Sequence, residues 1–111
     1  MISSCAVIIR KPYAREEVTL GIRAAWAMHS AGGVDVTVIL MGDGVFGILG
    51  KVGYVPGLFG QFMEQEGPVY AVREDMAARS VDEARLPPGV TALPASGVAA
   101  LVAEVDAIMT F

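Results

Sequence analysis

Two apolar rhythms alternate along the chain. Short continuous apolar runs are separated by longer segments in which apolar residues recur every three or four positions. Cys5–Ile9 (CAVII) is such a run, rich in β-branched residues, and it predicts a strand buried on both faces. Lys11-Pro12-Tyr13 ends it. From Arg15 to Ala31 the period becomes helical. Val18, Ile22, Ala25, Trp26 and His29 fall on one stripe, and Leu20, Ala24, Ala27, Met28 and Ala31 on a neighbouring one. Only Glu16, Thr19, Arg23 and Ser30 make a polar line. Glu16 and Glu17 stand in the first turn, where carboxylates suit the positive end of the helix dipole. Gly32-Gly33 supplies the stop. The apolar arc is wider than one buried face requires. The helix is therefore expected to meet both the sheet and another subunit.

The pattern then repeats. Asp35–Met41 (DVTVILM) predicts a second strand, followed by Gly42-Asp43-Gly44 and the start of a short helix over Val45–Leu49. Gly50 to Gly60 holds four glycines and a proline among Tyr54, Leu58 and Phe59, the composition of a flexible apolar loop. A short helix is expected from about Leu58 to Glu66, then a third strand over Val69–Val72. Glu74 to Ala84 reads as a helix broken near Ser80. Pro87-Pro88-Gly89 turns the chain into a fourth strand, Val90–Leu93. Ser96 is a candidate N-cap for a helix carrying Val98, Leu101, Val102 and Val105. A fifth strand lies within Asp106–Phe111. Strands alternating with helices imply βαβ crossovers within one domain of 111 residues. The expected sheet is mostly parallel and covered on both faces. In such sheets ligands bind beyond the carboxyl ends of the strands. Those ends hold Arg10, Lys11 and Tyr13; Gly42, Asp43 and Gly44; Arg73, Glu74 and Asp75; and Ala95 and Ser96.

Composition adds an apolar surplus. Hydrophobic residues make up 54% of the chain and charged residues 18%, against about 25% in a typical soluble domain. That excludes a disordered chain. A domain this small has too little interior for so much apolar surface, so part of it is expected in a subunit contact. Trp26, with Tyr54, Leu58, Phe59 and Phe62 of the glycine-rich region, are the candidate interface residues. A membrane span is not expected, because Pro87, Pro88 and Pro94 interrupt the longest uncharged stretch, Leu86–Ala103. No basic region precedes the first apolar run, so no signal peptide is read there. The net charge of −4 argues against nucleic acid and anionic membranes as partners. One cysteine, Cys5, leaves no internal disulfide, which fits a reducing cytoplasm.

Few residues carry candidate chemistry. Gly42-Asp-Gly44-Val-Phe-Gly47 matches G-x-G-x-x-G after a strand, the form of a phosphate-binding turn. Equally, Gly42 and Gly44 permit a tight turn while Asp43 caps the short helix. Arg10, Lys11 and Arg73 bring cations to the strand ends of an acidic protein. They suit an anion or a partner's carboxylates, or they neutralise Asp43, Glu74 and Asp75. Cys5 is expected to be a buried, inert thiol at the far end of its strand. His29 is the one histidine, and neither a second histidine nor a second cysteine can join it in a zinc site. No catalytic residue, metal or cofactor is expected.

These residues also resemble a known family. Ile9-Arg10-Lys11-Pro12-Tyr13 with Glu16-Glu17 resembles the end of strand one and the start of helix one in DsrE/DsrF/DsrH-like proteins. Gly42-Asp43-Gly44-Val45-Phe46 is similar to their "DGVF" turn, and Val69 to Arg79 to their third strand and the helix after it. The ending Val105–Phe111 is similar to that of the DsrF and TusC branch. The resemblance implies a three-layer α/β/α sandwich with a five-stranded, mainly parallel sheet. It implies a cytoplasmic protein in homo- or hetero-oligomers, often trimers or hexamers, connected with sulfur relay. In the sulfur-carrying members a cysteine lies just after strand three, a position that falls here at about Val72, and Ser80 stands where the family often has glycine. Valine cannot carry a persulfide. The implied role is a non-catalytic subunit or accessory in sulfur relay. A small-molecule module binding a nucleotide or anion through Arg10, Lys11, Tyr13, Asp43 and Arg73 is the alternative reading, and a sulfurtransferase using Cys5 a third.

Overall fold

The computed structural model describes residues 2–12, 14–47, 49 and 54–111, with Tyr54 and Val55 described by their backbone alone. Its strands are β1 Ser4–Ile9, β2 Asp35–Leu40, β3 Val69–Val72, β4 Val90–Leu93 and β5 Ala107–Thr110. Its helices are α1 Glu16–Ala31, α2 Tyr54–Glu64, α3 Arg73–Ala78 and α4 Ala95–Glu104. The strands form one sheet in the order β4-β3-β2-β1-β5, and every neighbouring pair is parallel. The expected α/β sandwich and its parallel sheet are therefore what the chain adopts.

Handedness decides which face each helix covers. Connections between parallel strands are right-handed. From β1 to β4 the chain steps across the sheet in one direction, so α1, α2 and the β3–β4 connection share a face. The return from β4 to β5, on the far side of β1, reverses direction and puts α4 on the other face. The core follows. On the α1 side Val7, Ile9, Val36, Val38, Leu40 and Val69 pack with Val18, Ile22, Ala25, Phe59 and Phe62. On the α4 side the buried cluster is smaller: Ala6, Ile8, Ile39, Val72 and Val98. The period-two alternation along each strand supplies the two sets. No polar or charged residue is fully buried among the described residues.

The differences from the sequence expectation have local causes. The helix expected from Leu58 begins at Tyr54 instead. Gly57 and Gly60 cost it about 1 kcal/mol each. Burying Leu58, Phe59 and Phe62 outweighs that, at about 1.5–3 kcal/mol per large apolar side chain. Where the short helix is expected to start at Val45, a 3-10 turn occupies Gly42–Phe46. The helix after β3 breaks as expected, with Ser80 at φ 55°, and a second 3-10 turn follows at Glu83–Arg85. Ser96 is not an N-cap. Helix α4 starts at Ala95, with Pro94 at the N-cap position, and the Ala95 N–H donates to the Glu74 carboxylate at 2.9 and 3.0 Å. A side chain from α3 thus caps α4. His29 has a packing role: its Nε2 hydrogen-bonds the Gln65 carbonyl and its ring tilts on Phe62 at 5.1 Å.

At the amino end of the sheet Asp106 joins β5 to β1. Its Oδ2 accepts from Ser3 Oγ at 2.7 Å, Ser3 N–H at 2.8 Å and Ser4 N–H at 3.2 Å, while the Asp106 N–H donates to Ser4 Oγ. The Ser3 hydroxyl, then the Ser3 and Ser4 donors, hold its carboxyl below the ordinary carboxylate value. A lowered folded-state value contributes stability above the unfolded value, near 3.9, and loses it as pH falls through the folded value. Urea unfolding is expected to show wild type more stable than Asp106→Asn at pH 6. The gap should close as pH falls below 4. A gap unchanged down to pH 2 would exclude the ionised carboxylate as its source.

Candidate functional site

Three chain segments meet where β1, β2 and β5 end. Ile9 O accepts the Met41 N–H at 3.0 Å, Arg10 N–H donates to Phe111 O at 2.8 Å, and Phe111 N–H donates to Ile8 O at 2.8 Å. These bonds carry the strand pairing one residue past the sheet and set the backbone under Arg10. The chain then turns at Gly42, whose φ of +57° is a left-handed conformation that glycine adopts without a Cβ penalty. The next turn lies directly against β1. A Cβ on Gly44 would stand 1.9 Å from Ile9 O and 2.8 Å from Ile9 C. Gly44 is therefore set by close approach to a neighbouring backbone, a demand that no other residue meets.

A second layer of contacts pins this turn from the side. The Gly42 N–H donates to Asp75 Oδ2 at 2.7 Å. Arg79, just past α3, donates from Nε to Asp43 Oδ1 at 2.9 Å and from Nη1 to the Asp75 carbonyl at 3.2 Å. Asp43 is thus the partner of an arginine and not a helix cap: the Gly42–Phe46 turn has no side-chain cap. The G-x-G-x-x-G spacing reflects these two packing needs.

Above the turn opens a cleft of about 480 Å³. Arg10 and Lys11 line it from β1, Gly42 and Asp43 from the turn, Arg79 from the end of α3, and Thr110 and Phe111 from β5. Of the expected ligand-binding residues the structure brings Arg10, Lys11, Gly42 and Asp43 together, with Gly44 beneath them. Tyr13 lies outside the described residues. Arg73 points elsewhere: its guanidinium pairs with Glu83 at 3.3 Å and reaches the Ala92 carbonyl at 3.4 Å, on the β4 side. Arg79 takes its place. It stands past α3 and not next to a strand end, so its i,i+4 spacing from Asp75 is the one signal for it in the sequence. Among the described residues no group of three or more potential metal ligands occurs.

The candidate interface residues divide. Trp26 is 36% exposed. Leu58, Phe59 and Phe62 are buried within the single chain, holding α2 on the sheet, and are corrected to core residues. The side chain of Tyr54 lies outside the description. Cys5 is 2% exposed, and burial pushes its thiol up.

With this architecture established, comparison places the chain. A model of the DsrE/DsrF-like family matches residues 3–111, and the chain belongs to that family. Among solved structures, the YchN protein of E. coli superposes with a TM-score of 0.81 at 22% identity over 100% of both chains. A conserved protein of unknown function from Bacteroides thetaiotaomicron gives 0.79 at 12% identity, over 98% of this chain and 95% of that one. At these identities the likeness is one of fold. No curated protein sequence matches the chain.

The glycine contacts make a paired prediction. Gly44→Ala should destabilise the protein by roughly 2–3 kcal/mol, since a methyl group must displace β1 or the turn. Gly57→Ala, with nothing within 4 Å of the added Cβ, should stabilise α2 by up to about 1 kcal/mol. Urea denaturation of both variants checks the contrast, and similar stability for the two would refute the steric account.

Proposed function

We propose that this chain is an oligomeric, non-catalytic subunit of a cytoplasmic sulfur-relay assembly, alone in its ring or beside related subunits, and that it does not carry sulfur itself. The placement of its one cysteine carries this reading. Register puts Cys5 level with Val36, whereas Val72 is one residue beyond the pair of Leu40 and Ala71. Cys5 is therefore five residues' rise, roughly 16 Å, from the end of β3, where the resemblance sets the family's carrier thiol. Its burial disfavours the thiolate that would attack a sulfur donor. Val72 is itself buried against α4 and leads directly into α3. A sulfurtransferase using Cys5 has neither exposure nor ionisation in its favour.

The oligomer has separate support. The second apolar stripe of α1 is only partly covered: Met28 packs against the core, but Leu20 is 49% exposed, with Ala27 and Ala31 also in solvent. On edge strand β5, Ile108 is 50% exposed. These positions fit a contact between chains better than Leu58, Phe59 or Phe62 do.

Incubation with a persulfide donor should leave the native protein's intact mass unchanged. An adduct of about +32 Da, one sulfur, that is lost in Cys5→Ser would overturn the non-carrier reading. Light scattering after gel filtration should give a multiple of the 11.6 kDa chain mass. Leu20→Glu should shift that mass toward monomer, since a carboxylate would be buried without a partner. A wild-type monomer at micromolar concentration would count against the assembly.

A further inference from the structure

The cleft at the carboxyl end of the sheet holds two cationic side chains, Arg10 and Lys11, with no ion-pair partner among the described residues. Arg79 is committed through Nε and Nη1 to Asp43 and Asp75, which holds its guanidinium in place. Its Nη2 makes no hydrogen bond among the described residues, and it lies 3.8 Å from the position of a Cβ on Gly42. Arg10 and Lys11 are exposed and form no ion pair or side-chain hydrogen bond among the described residues. Their backbone, by contrast, is fixed by the Arg10–Phe111 bond. Two cations with no partner among the described residues, on an anchored backbone and opposite a guanidinium with donors to spare, are an unusual use of charge in a protein of net charge −4. The nearby side-chain carboxylates do not explain it, because Asp43 and Asp75 are turned to Arg79 and Glu74 to α4.

We propose that this cleft binds the phosphate group of a small organic phosphomonoester. Guanidinium groups match the geometry of phosphate oxygens through paired N–H donors, and an ammonium adds an adjustable point charge. The volume, about 480 Å³, falls within the range of small-molecule sites and exceeds what a bare inorganic anion fills. Thr110 and Phe111 line the remaining wall, where the organic body rests. The open glycine at position 42 leaves the approach to Arg79 clear, since a side chain there would stand beside Nη2. This inference is independent of the role in sulfur relay.

Calorimetric titration of the purified full chain tests it, with AMP, ribose 5-phosphate and inorganic phosphate as probes and adenosine as the uncharged control. At least one ester should bind in the micromolar to low millimolar range, more tightly than inorganic phosphate, and adenosine should not bind. Arg10→Ala and Lys11→Ala should each weaken the ester about tenfold, and raising salt from 50 to 300 mM should weaken it several-fold. Both side chains are exposed and without a partner among the described residues, so melting temperature and oligomeric mass should not change. Arg85→Ala, which removes an exposed cation away from the cleft, should leave affinity unaltered. No binding of any probe at 10 mM would overturn the proposal. So would affinity equal for ester and inorganic phosphate, or unchanged in the Arg10→Ala/Lys11→Ala double variant.

Discussion

The contact between Gly44 and the Ile9 carbonyl is the constraint on which the carboxyl end of this molecule depends. It places the backbone of one turn against the backbone of another strand with no side chain between them. The same Ile9 carbonyl accepts the Met41 N–H, so the polar end of β1 is satisfied while it is covered. Because the turn sits this low, Asp75 reaches the Gly42 N–H and Arg79 reaches Asp43. The cleft is what remains above that platform. Its shape thus follows from a backbone contact, and its charge from side chains that the platform holds or leaves free.

The two faces of the sheet are unequally covered, and handed crossovers are the reason. Steps in one direction place α1, α2 and the β3–β4 connection together, while one return step supplies α4 alone. The α4 layer fully buries one of its own residues, Val98, with Leu101 and Val102 half-buried beside it. Edge strand β5 therefore keeps Ile108, level with Ala6 on that face, in solvent. The apolar surplus of the composition is used in two ways: much of it goes into a parallel sheet apolar on both faces, and some lies on the exposed stripe of α1 and on β5.

Legibility in the sequence tracks the distance over which a residue's environment is decided. Continuous runs such as Cys5–Ile9 and Val69–Val72 were readable as strands because burial on both faces removes polar alternation. Lys11-Pro12 and Gly32-Gly33 marked ends through local backbone chemistry. The start of α2 was not readable, because its glycines signal a loop locally and only the sheet beneath rewards a helix there. Leu58, Phe59 and Phe62 were misassigned to an interface for the same reason: an apolar residue reads alike whether its partner is in the same chain or another. Local grounds point to Ser96 as the cap of α4, while Glu74, twenty-one residues before Ala95, makes the bond.

The candidate site divides in the same way. Sequence alone determined the alternation of strands and helices, the parallel sheet, and the strand ends that carry Arg10, Lys11, Gly42 and Asp43. Local periodicity and turn chemistry suffice for those, since each is set by neighbours within a few residues. Only the tertiary structure decided that Arg79 and not Arg73 faces the cleft, and that Gly44 exists for the Ile9 carbonyl. It alone showed which cations are already paired. Those outcomes depend on how separate crossovers bring distant segments within hydrogen-bonding distance, and no local pattern encodes that distance.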